Sequence, residues 1–566
     1  MSVNYELLMS VAEEGAPALE EGFSTGPSAS LLGGQPRPKS DEQMPSHLWD
    51  EGAQPNDLRA QRWGLIVPEG DRGDRLLELV APLVELRESE QGAKPLVFRA
   101  PSKLSAIEAA QWKKEKFRGA GIAEDDLPRY QLLLGDFHEL SLETQLAQST
   151  DGFVGRLAFD EDDGYRKYVD KVLRWEGRGA LVREANTLLH TVHDNTGATR
   201  LGHRVLVEPG EAFMRKRREL GKCPTAEIKT SGDEFEPELS DLLDAARGQH
   251  PTMLFSLSHG DGPPRRGWAS EQDRRLRQGA MSFGSSGSLA GSAMVDQEFL
   301  PGGIWFMLAC YGAGTPSSSA YRHWLAELAE LDQFRGRVNA VLAGLPKDDA
   351  PPFVAALPKA VLAAEHGPLA FMGHVDLAWS YSFQELDGGP RSRPQKFTGV
   401  LRSALYGDRI GIAFRQLYKF RSETDAELTA HYDAEAAGAE AERVRRGHLW
   451  MLRNDLGAYV LLGDPAAHLP IQGRWSGAQA SPPPAKESAP SNISSALGIP
   501  IARAPEPAAA KELPLGLEEL EEAIAKVILG EQSTKTIARE YDIGRGELQD
   551  LADAYQEAGR RALKGS

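Results

Sequence analysis

Two cysteines in 566 residues, Cys223 and Cys310, leave no room for a disulfide framework and fit a reducing compartment. No apolar run approaches the roughly 20 residues that a membrane span requires. The opening Met1-Ser2-Val3-Asn4-Tyr5-Glu6 runs into acidic, Gly/Ser/Pro-rich sequence and lacks the basic-then-apolar plan of a secretion signal. Positive charge is in deficit: 64 Lys and Arg against 82 Asp and Glu give a net charge of −18, which argues against a general nucleic-acid or anionic-membrane binder. These absences point to a cytoplasmic soluble protein. What is present is ordinary globular material, 41% hydrophobic and 26% charged, in a chain long enough for two or three domains.

Alternating strand and helix patterns organise the middle of the chain. Residues 1–60 carry Pro36, Pro38, Pro45 and Pro55 with little periodicity and read as a flexible segment. Over 61–177, strands at 63–68, 130–136 and 152–157 surround a helical leucine pattern from Leu76 to Leu86, which predicts a small α/β subdomain. Over 178–470, apolar runs at 180–182, 186–189, 205–207, before His259, before Cys310, at 369–374 and at 459–465 predict a mainly parallel, doubly wound sheet, with helices near 320–331 and 352–365 between strands. Residues 471–514 form a Pro/Ala/Ser-rich linker. The tail, 515–566, has the spacing of a small helical, helix-turn-helix-like bundle. Between Leu517 and Leu563 it carries six Lys/Arg and eleven Asp/Glu, the wrong sign for gripping phosphates, so a protein-interaction role fits better than DNA reading.

Two of the apolar runs share a plan. Ile304 to Ala309 ends in Cys310, followed by the small-residue bend Gly312-Ala313-Gly314. Met253 to Ser258 ends in His259-Gly260. Neighbouring parallel strands ending this way would present a thiol and an imidazole at one sheet edge, the pair that a cysteine nucleophile and its base require. The bend after Cys310 offers backbone N–H groups suited to an oxyanion, and the glycine after His259 allows close backbone approach. A free cysteine is otherwise most often a small buried hydrophobe, and Cys223, in Gly221-Lys222-Cys223-Pro224, lacks the context of Cys310 and reads as incidental. Gly284 to Ser292 is a low-complexity stretch expected to form a mobile loop beside the site.

Other chemistries lack their residues. His190, His193 and His203 have ligand-like types, but no carboxylate or cysteine falls at zinc-site spacing around them, and there is no His-Glu-x-x-His. The Gly/Ser stretch lacks the Gly-Lys-Ser/Thr ending of a phosphate loop and the Gly-x-Ser-x-Gly of a serine-hydrolase elbow. No metal and no cofactor is expected.

The His-Gly and Ala-Cys strand ends resemble those of clan CD cysteine peptidases, the group of caspases and gingipains. Leu132-Leu133-Leu134-Gly135-Asp136 with Val154-Gly155-Arg156-Leu157, Leu461-Leu462-Gly463-Asp464-Pro465, and Gly373-His374-Val375-Asp376-Leu377-Ala378-Trp379 are similar to segments of the gingipain branch, covering about residues 62–470. The resemblance implies a caspase-like catalytic domain in which Cys310 attacks the scissile carbonyl and His259 protonates the leaving amine. The N–H groups of Gly260 and Cys310 would hold the oxyanion, and no third catalytic residue is implied. It also implies that the loop from His193 to Thr199 helps form the pocket for the side chain preceding the cut. There Asp194, or in second place Asp376, would receive Arg or Lys, with Trp379 lining the cleft; either Asp is as readily a turn residue capping its own backbone. The expected partners are protein or peptide substrates, and an activating protease or a protein bound through the helical tail. Arg265, Arg266, Arg274, Arg275 and Arg277 would offer nicking sites within about 262–298. The competing expectation is a catalytically silent scaffold of the same fold.

Overall fold

The computed structural model describes residues 54–472 except 178, 180–181, 195, 234–237, 249, 265–267, 296, 331–334, 348–349, 380–381, 386–390 and 441, together with a short backbone ladder between Asn4–Tyr5 and Phe23–Ser24. The expected linker and helical tail, with nearly all of the expected flexible N-terminal segment, lie outside the described residues.

Among the described residues, ten strands build one sheet: β1 (Trp63–Pro68), β2 (Leu96–Ala100), β3 (Tyr130–Leu134), β4 (Phe153–Leu157), β5 (Asn186–Thr191), β6 (Ile228–Ser231), β7 (Thr252–Leu257), β8 (Ile304–Leu308), β9 (Ala370–His374) and β10 (Tyr459–Gly463). Their order is β2-β1-β3-β4-β10-β9-β8-β7-β5-β6. Neighbours are parallel everywhere except at β9–β10. The fold is therefore α/β around a mostly parallel sheet, made of two parallel blocks that run in opposite directions and meet at one antiparallel seam. The two α/β segments read from the sequence share this sheet, and the last strand, β10, pairs with β4 of the first segment.

Whereas the edge strands β2 and β6 carry exposed residues, the inner strands β1, β3, β8, β9 and β10 are buried along their whole length because helices cover both faces. Side chains of β8 alternate between them: Trp305 and Met307 join one core, while Ile304, Phe306 and Leu308 join the other. The second core is closed by Phe397, Leu401, Phe414 and Leu417 from the helices Gln395–Leu405 and Ile410–Ala436.

Both Gly-Asp motifs that end strands are structural ties. Asp464 is fully buried and accepts from the Trp63 indole at 2.9 Å and the Arg87 guanidinium at 2.8 Å, and Arg87 also pairs with Glu176. Asp136 accepts from the Val354 amide and the Lys359 ammonium, each at 2.7 Å. A Cβ on Gly155 would lie 2.2 Å from the Gly463 carbonyl, so the glycine lets β4 and the end of β10 approach.

Three expectations need correction. Val205-Leu206-Val207, expected as a strand, lies in a π-helical turn between the helices Gly197–Gly202 and Glu208–Glu219. Leu206 and Val207 are buried in the second core there, and tertiary packing overrides their β-branched preference. The Gly/Ser stretch expected to be a mobile loop is folded: Ser288–Leu289 pairs with Met281–Ser282, and Leu289, Gly291 and Met294 are buried. Arg274, Arg275 and Arg277 sit in the helix Glu271–Arg277. There Arg274 and Arg275 stack on Phe353 and Arg277 on Trp268, so they do not form an extended nicking site, and Arg265 and Arg266 lie outside the described residues. No described helix is long and apolar enough to cross a membrane.

Candidate functional site

β7 and β8 are neighbours, paired from Met253 with Ile304 to Leu257 with Leu308, and Ser258 continues the ladder by donating to the Leu308 carbonyl at 3.2 Å. Carried on at the same offset, this register sets His259 opposite Cys310. His259–Gly260 then pairs antiparallel with Met281–Ser282. A Cβ on Gly260 would lie 1.8 Å from the Cys310 carbonyl oxygen, so only glycine permits this contact between the two strand ends.

The chain reverses immediately after Cys310. Tyr311 adopts φ 56, a left-handed conformation that a bulky residue holds only when its surroundings fix it. The Tyr311 amide donates to the Asp376 carbonyl at 3.0 Å and that of Ala313 to His374 at 2.9 Å. Gly312 and Gly314 also donate, to Ala309 and Tyr311. The amides of the small-residue bend are therefore spent on the turn rather than offered to an oxyanion.

On the histidine side, Nε2 of His259 lies 2.8 Å from the Thr196 hydroxyl and 3.8 Å from the Asp194 carboxylate. Asp194 is 4% exposed, and its Oδ1 accepts from the Thr196 amide at 3.1 Å and the Thr199 hydroxyl at 2.6 Å. Burial pushes this carboxyl up, but those hydrogen bonds and the neighbouring imidazole outweigh it and hold the group below its usual value. Asp194 thus stands behind the imidazole. With Nε2 engaged, Nδ1 is the nitrogen left for proton exchange.

On the cysteine side, the Ala378 amide donates to Sγ of Cys310 at 3.2 Å and the thiol donates to the Ala378 carbonyl at 3.7 Å. Among the described residues, no hydrogen bond joins the thiol to His259. Burial, followed by the Asp455 and Asp376 carboxylates, pushes the thiol up to about 11 against the opposing pull of the Ala378 amide. In this arrangement the groups around Sγ favour the neutral thiol.

Asp376 is buried, with Oδ1 accepting from the Leu377 amide and Oδ2 from the Ala320 amide, each at 2.8 Å. Burial raises its carboxyl. Trp379 is half-buried, its ring edge-on to Tyr321 at 5.7 Å and to Trp324 at 5.6 Å, in an aromatic group that Trp450 extends. His190 donates or accepts at the Ser231 hydroxyl, and burial holds its imidazole down at about 4. Among the described residues no group of three or more His, Cys, Asp or Glu is arranged to hold a metal ion.

Sequence reasoning did not single out Thr196, Thr199, Ala378 or Asp455. Only Thr196 and Thr199 carried a signal, as hydroxyls flanking Asp194 in a turn before a helix. Asp455 directly follows Arg453 and Asn454 and reads with them as helix surface.

No family model matches the chain, and no curated protein matches it. Among solved structures, the chain is similar to a protease at 12% identity and TM-score 0.41, covering 72% of this chain and 78% of that one. It is similar to the Arg-specific cysteine proteinase gingipain R at 11% identity and TM-score 0.40, covering 72% and 78%. A complex of the Porphyromonas gingivalis RgpB pro- and mature domains gives 11% identity and TM-score 0.40, covering 72% and 79%.

Proposed function

We propose that the chain is a caspase-like cysteine endopeptidase whose dyad is His259 and Cys310. The observation that supports this reading is the close approach of Gly260 to the Cys310 backbone, by which His259 and Cys310 end adjacent parallel strands. In the reaction, Sγ leaves Ala378 and attacks the scissile carbonyl, its proton passing to Nδ1 of His259. The Gly260 and Cys310 amides face the developing oxyanion, and the imidazolium then protonates the leaving amine. Asp194 and Thr196 hold the imidazole in place through Nε2 and stabilise its charged form, a role separate from substrate charge.

A preference for Arg or Lys would require a carboxylate with capacity to spare. Asp194 and Asp376 keep lone pairs to spare, but both carboxylates are buried against protein donors, so cleavage after a basic residue draws on long-range attraction to an acidic chain more than on an exposed, dedicated pair. Protein or peptide substrates in the cytoplasm, and control by cleavage or by a partner on the C-terminal tail, complete the proposal.

One observation favours a second reading, a catalytically silent scaffold: the thiol is bonded to Ala378 and held neutral rather than paired with the imidazole. Labelling with an electrophilic peptide and cleavage of a peptide library decide between them. A Cys310 adduct with library cleavage, both lost in Cys310→Ala, supports the peptidase. Absence of both in folded wild-type protein supports the scaffold.

A further inference from the structure

Beneath the cysteine lies a second His–Asp pair, between His374 at the end of β9 and Asp455 in the last turn of the helix Arg443–Gly457. Both residues are fully buried. Nε2 of His374 lies 3.1 Å from the Asp455 carbonyl and 3.3 Å from its carboxylate, while Nδ1 lies 2.8 Å from the Asp376 carbonyl. Nδ1 also lies 3.1 Å from the Asp376 amide, so it either donates to that residue's carbonyl, as the charged ring does, or accepts from its amide, as the neutral ring does, while Nε2 donates to Asp455 in both forms. Burial opposes that charge, but the Asp455 carboxylate outweighs it and raises the imidazole above its ordinary value.

The carboxylate of Asp455 does more than pair with His374. Its Oδ1 accepts from the Trp379 amide at 2.8 Å and its Oδ2 from the Ser382 amide at 2.9 Å. Asp376, His374's other partner, accepts from the Tyr311 amide through its carbonyl. The pair thus grips both ends of the stretch 376–379, with the Ser382 amide beyond it, and the turn after Cys310 as well. Between those anchors sits Ala378, whose amide and carbonyl hold Sγ. Among the described residues the other ionisable groups around the pair are Tyr459, whose ring packs on His374 at 4.9 Å, Tyr321, Asp376 and the thiol itself.

We propose that His374 and Asp455 are positioning residues that hold the stretch 376–379 against Cys310 and so fix where the thiol stands. The inference rests on the peptidase reading only for its effect on cleavage; its effect on thiol access stands apart. Loosening the segment should unbury Sγ and, in Asp455→Asn, remove a nearby negative charge. Both changes favour attack on a small reagent, whereas peptide cleavage, which needs Sγ placed to within about an ångström, should suffer about a hundredfold loss in kcat. A loss of fold would also expose the thiol and end cleavage, so the retained thermal transition and the confinement of faster exchange to this stretch are what mark a positioning role.

The test uses the full chain as wild type, Asp455→Asn and His374→Gln. It measures peptide cleavage, the rate of Cys310 alkylation by iodoacetamide read by mass spectrometry, and amide exchange of the peptide spanning 376–383. The expected result in either variant is faster alkylation and faster exchange confined to that peptide, with kcat reduced and the thermal transition retained. If Asp455→Asn does not fold, His374→Gln keeps the carboxylate and should show the same pattern more weakly; wild-type exchange should show the segment protected. The inference is overturned if a folded variant alkylates and cleaves like wild type, if both rates fall together, or if the wild-type segment is unprotected. Should wild type cleave no peptide at all, the peptidase reading fails, while faster alkylation and exchange in the variants still support positioning.

Discussion

The histidine leaves 42% of its side chain exposed and leans on one threonine hydroxyl and one carboxylate that a second threonine holds, all supplied within the few residues 194–199. The cysteine is surrounded differently. Its thiol is held by the backbone of a segment 68 residues away, which is anchored in turn by a buried ion pair drawn from β9 and a later helix. One half of the site is local and wet, the other long-range and dry. The contrast indicates where the site tolerates change. A lost hydroxyl beside an exposed imidazole can be replaced by water, whereas a lost partner of a buried charge leaves a group that nothing else can satisfy.

Substitutions at the two halves should separate by size. Cys310→Ala should abolish cleavage while the thermal transition persists, since removing one half-buried sulfur leaves both cores intact; cleavage at the wild-type rate would sink the assignment. His259→Ala should cost about 10² to 10⁴ in kcat, the usual worth of a positioned acid–base group. It should leave the alkylation of Cys310 by small reagents near the wild-type rate, because no hydrogen bond joins the two side chains at rest. A large fall in alkylation would mean that the halves are already coupled in the free protein.

Asp194→Asn should reduce kcat by about tenfold, the worth of one hydrogen bond to a charged partner. Fluorogenic substrates carrying Arg, Lys, Asp or Leu before the cut reveal its role. A uniform loss places Asp194 behind the imidazole, and a loss confined to Arg and Lys places it in the substrate pocket. Thr196→Val should cost about threefold, the worth of a neutral hydrogen bond, and Cys223→Ala, a change at a buried thiol away from the site, should leave activity unchanged.

A pH series sharpens the same contrast. Below its titration the thiol stays protonated, and only the thiolate reacts. With the Cys310 thiol held up at about 11, its alkylation in the resting protein should keep rising through pH 9 and 10 towards that value. A plateau near pH 8 would mean that the Ala378 contact does not persist in solution. In the folded peptidase, peptide substrate should shift this profile downwards as Sγ leaves Ala378 for the side facing the imidazole.

Much of the fold was legible in the sequence because parallel strands buried on both faces must be apolar throughout and end abruptly. Trp63–Pro68, Ala370–His374 and Tyr459–Gly463 were visible for that reason, and so were the chemical groups at strand ends. His259 and Cys310 stand out because each follows an uninterrupted apolar run and precedes glycine or a small-residue bend. Val205-Leu206-Val207 shows the limit of such reasoning: three apolar residues fit a strand or a buried helix equally, and only the helices on either side decide.

By itself the sequence determined an α/β chain with a thiol and an imidazole ending two of its strands, since side-chain period and strand termini are local properties. It could not determine which strands are neighbours, and everything about the site beyond its two reactive groups depends on that. The antiparallel seam at β9–β10, the tie from Asp464 to Trp63 and Arg87, and the convergence of His374, Asp455 and Ala378 on Cys310 all join residues far apart in the chain. Hydrogen bonds and ion pairs of this kind carry no periodicity. An Asp that will be buried against an imidazolium has the same neighbours in sequence as one that faces water, and only the packed structure distinguishes them.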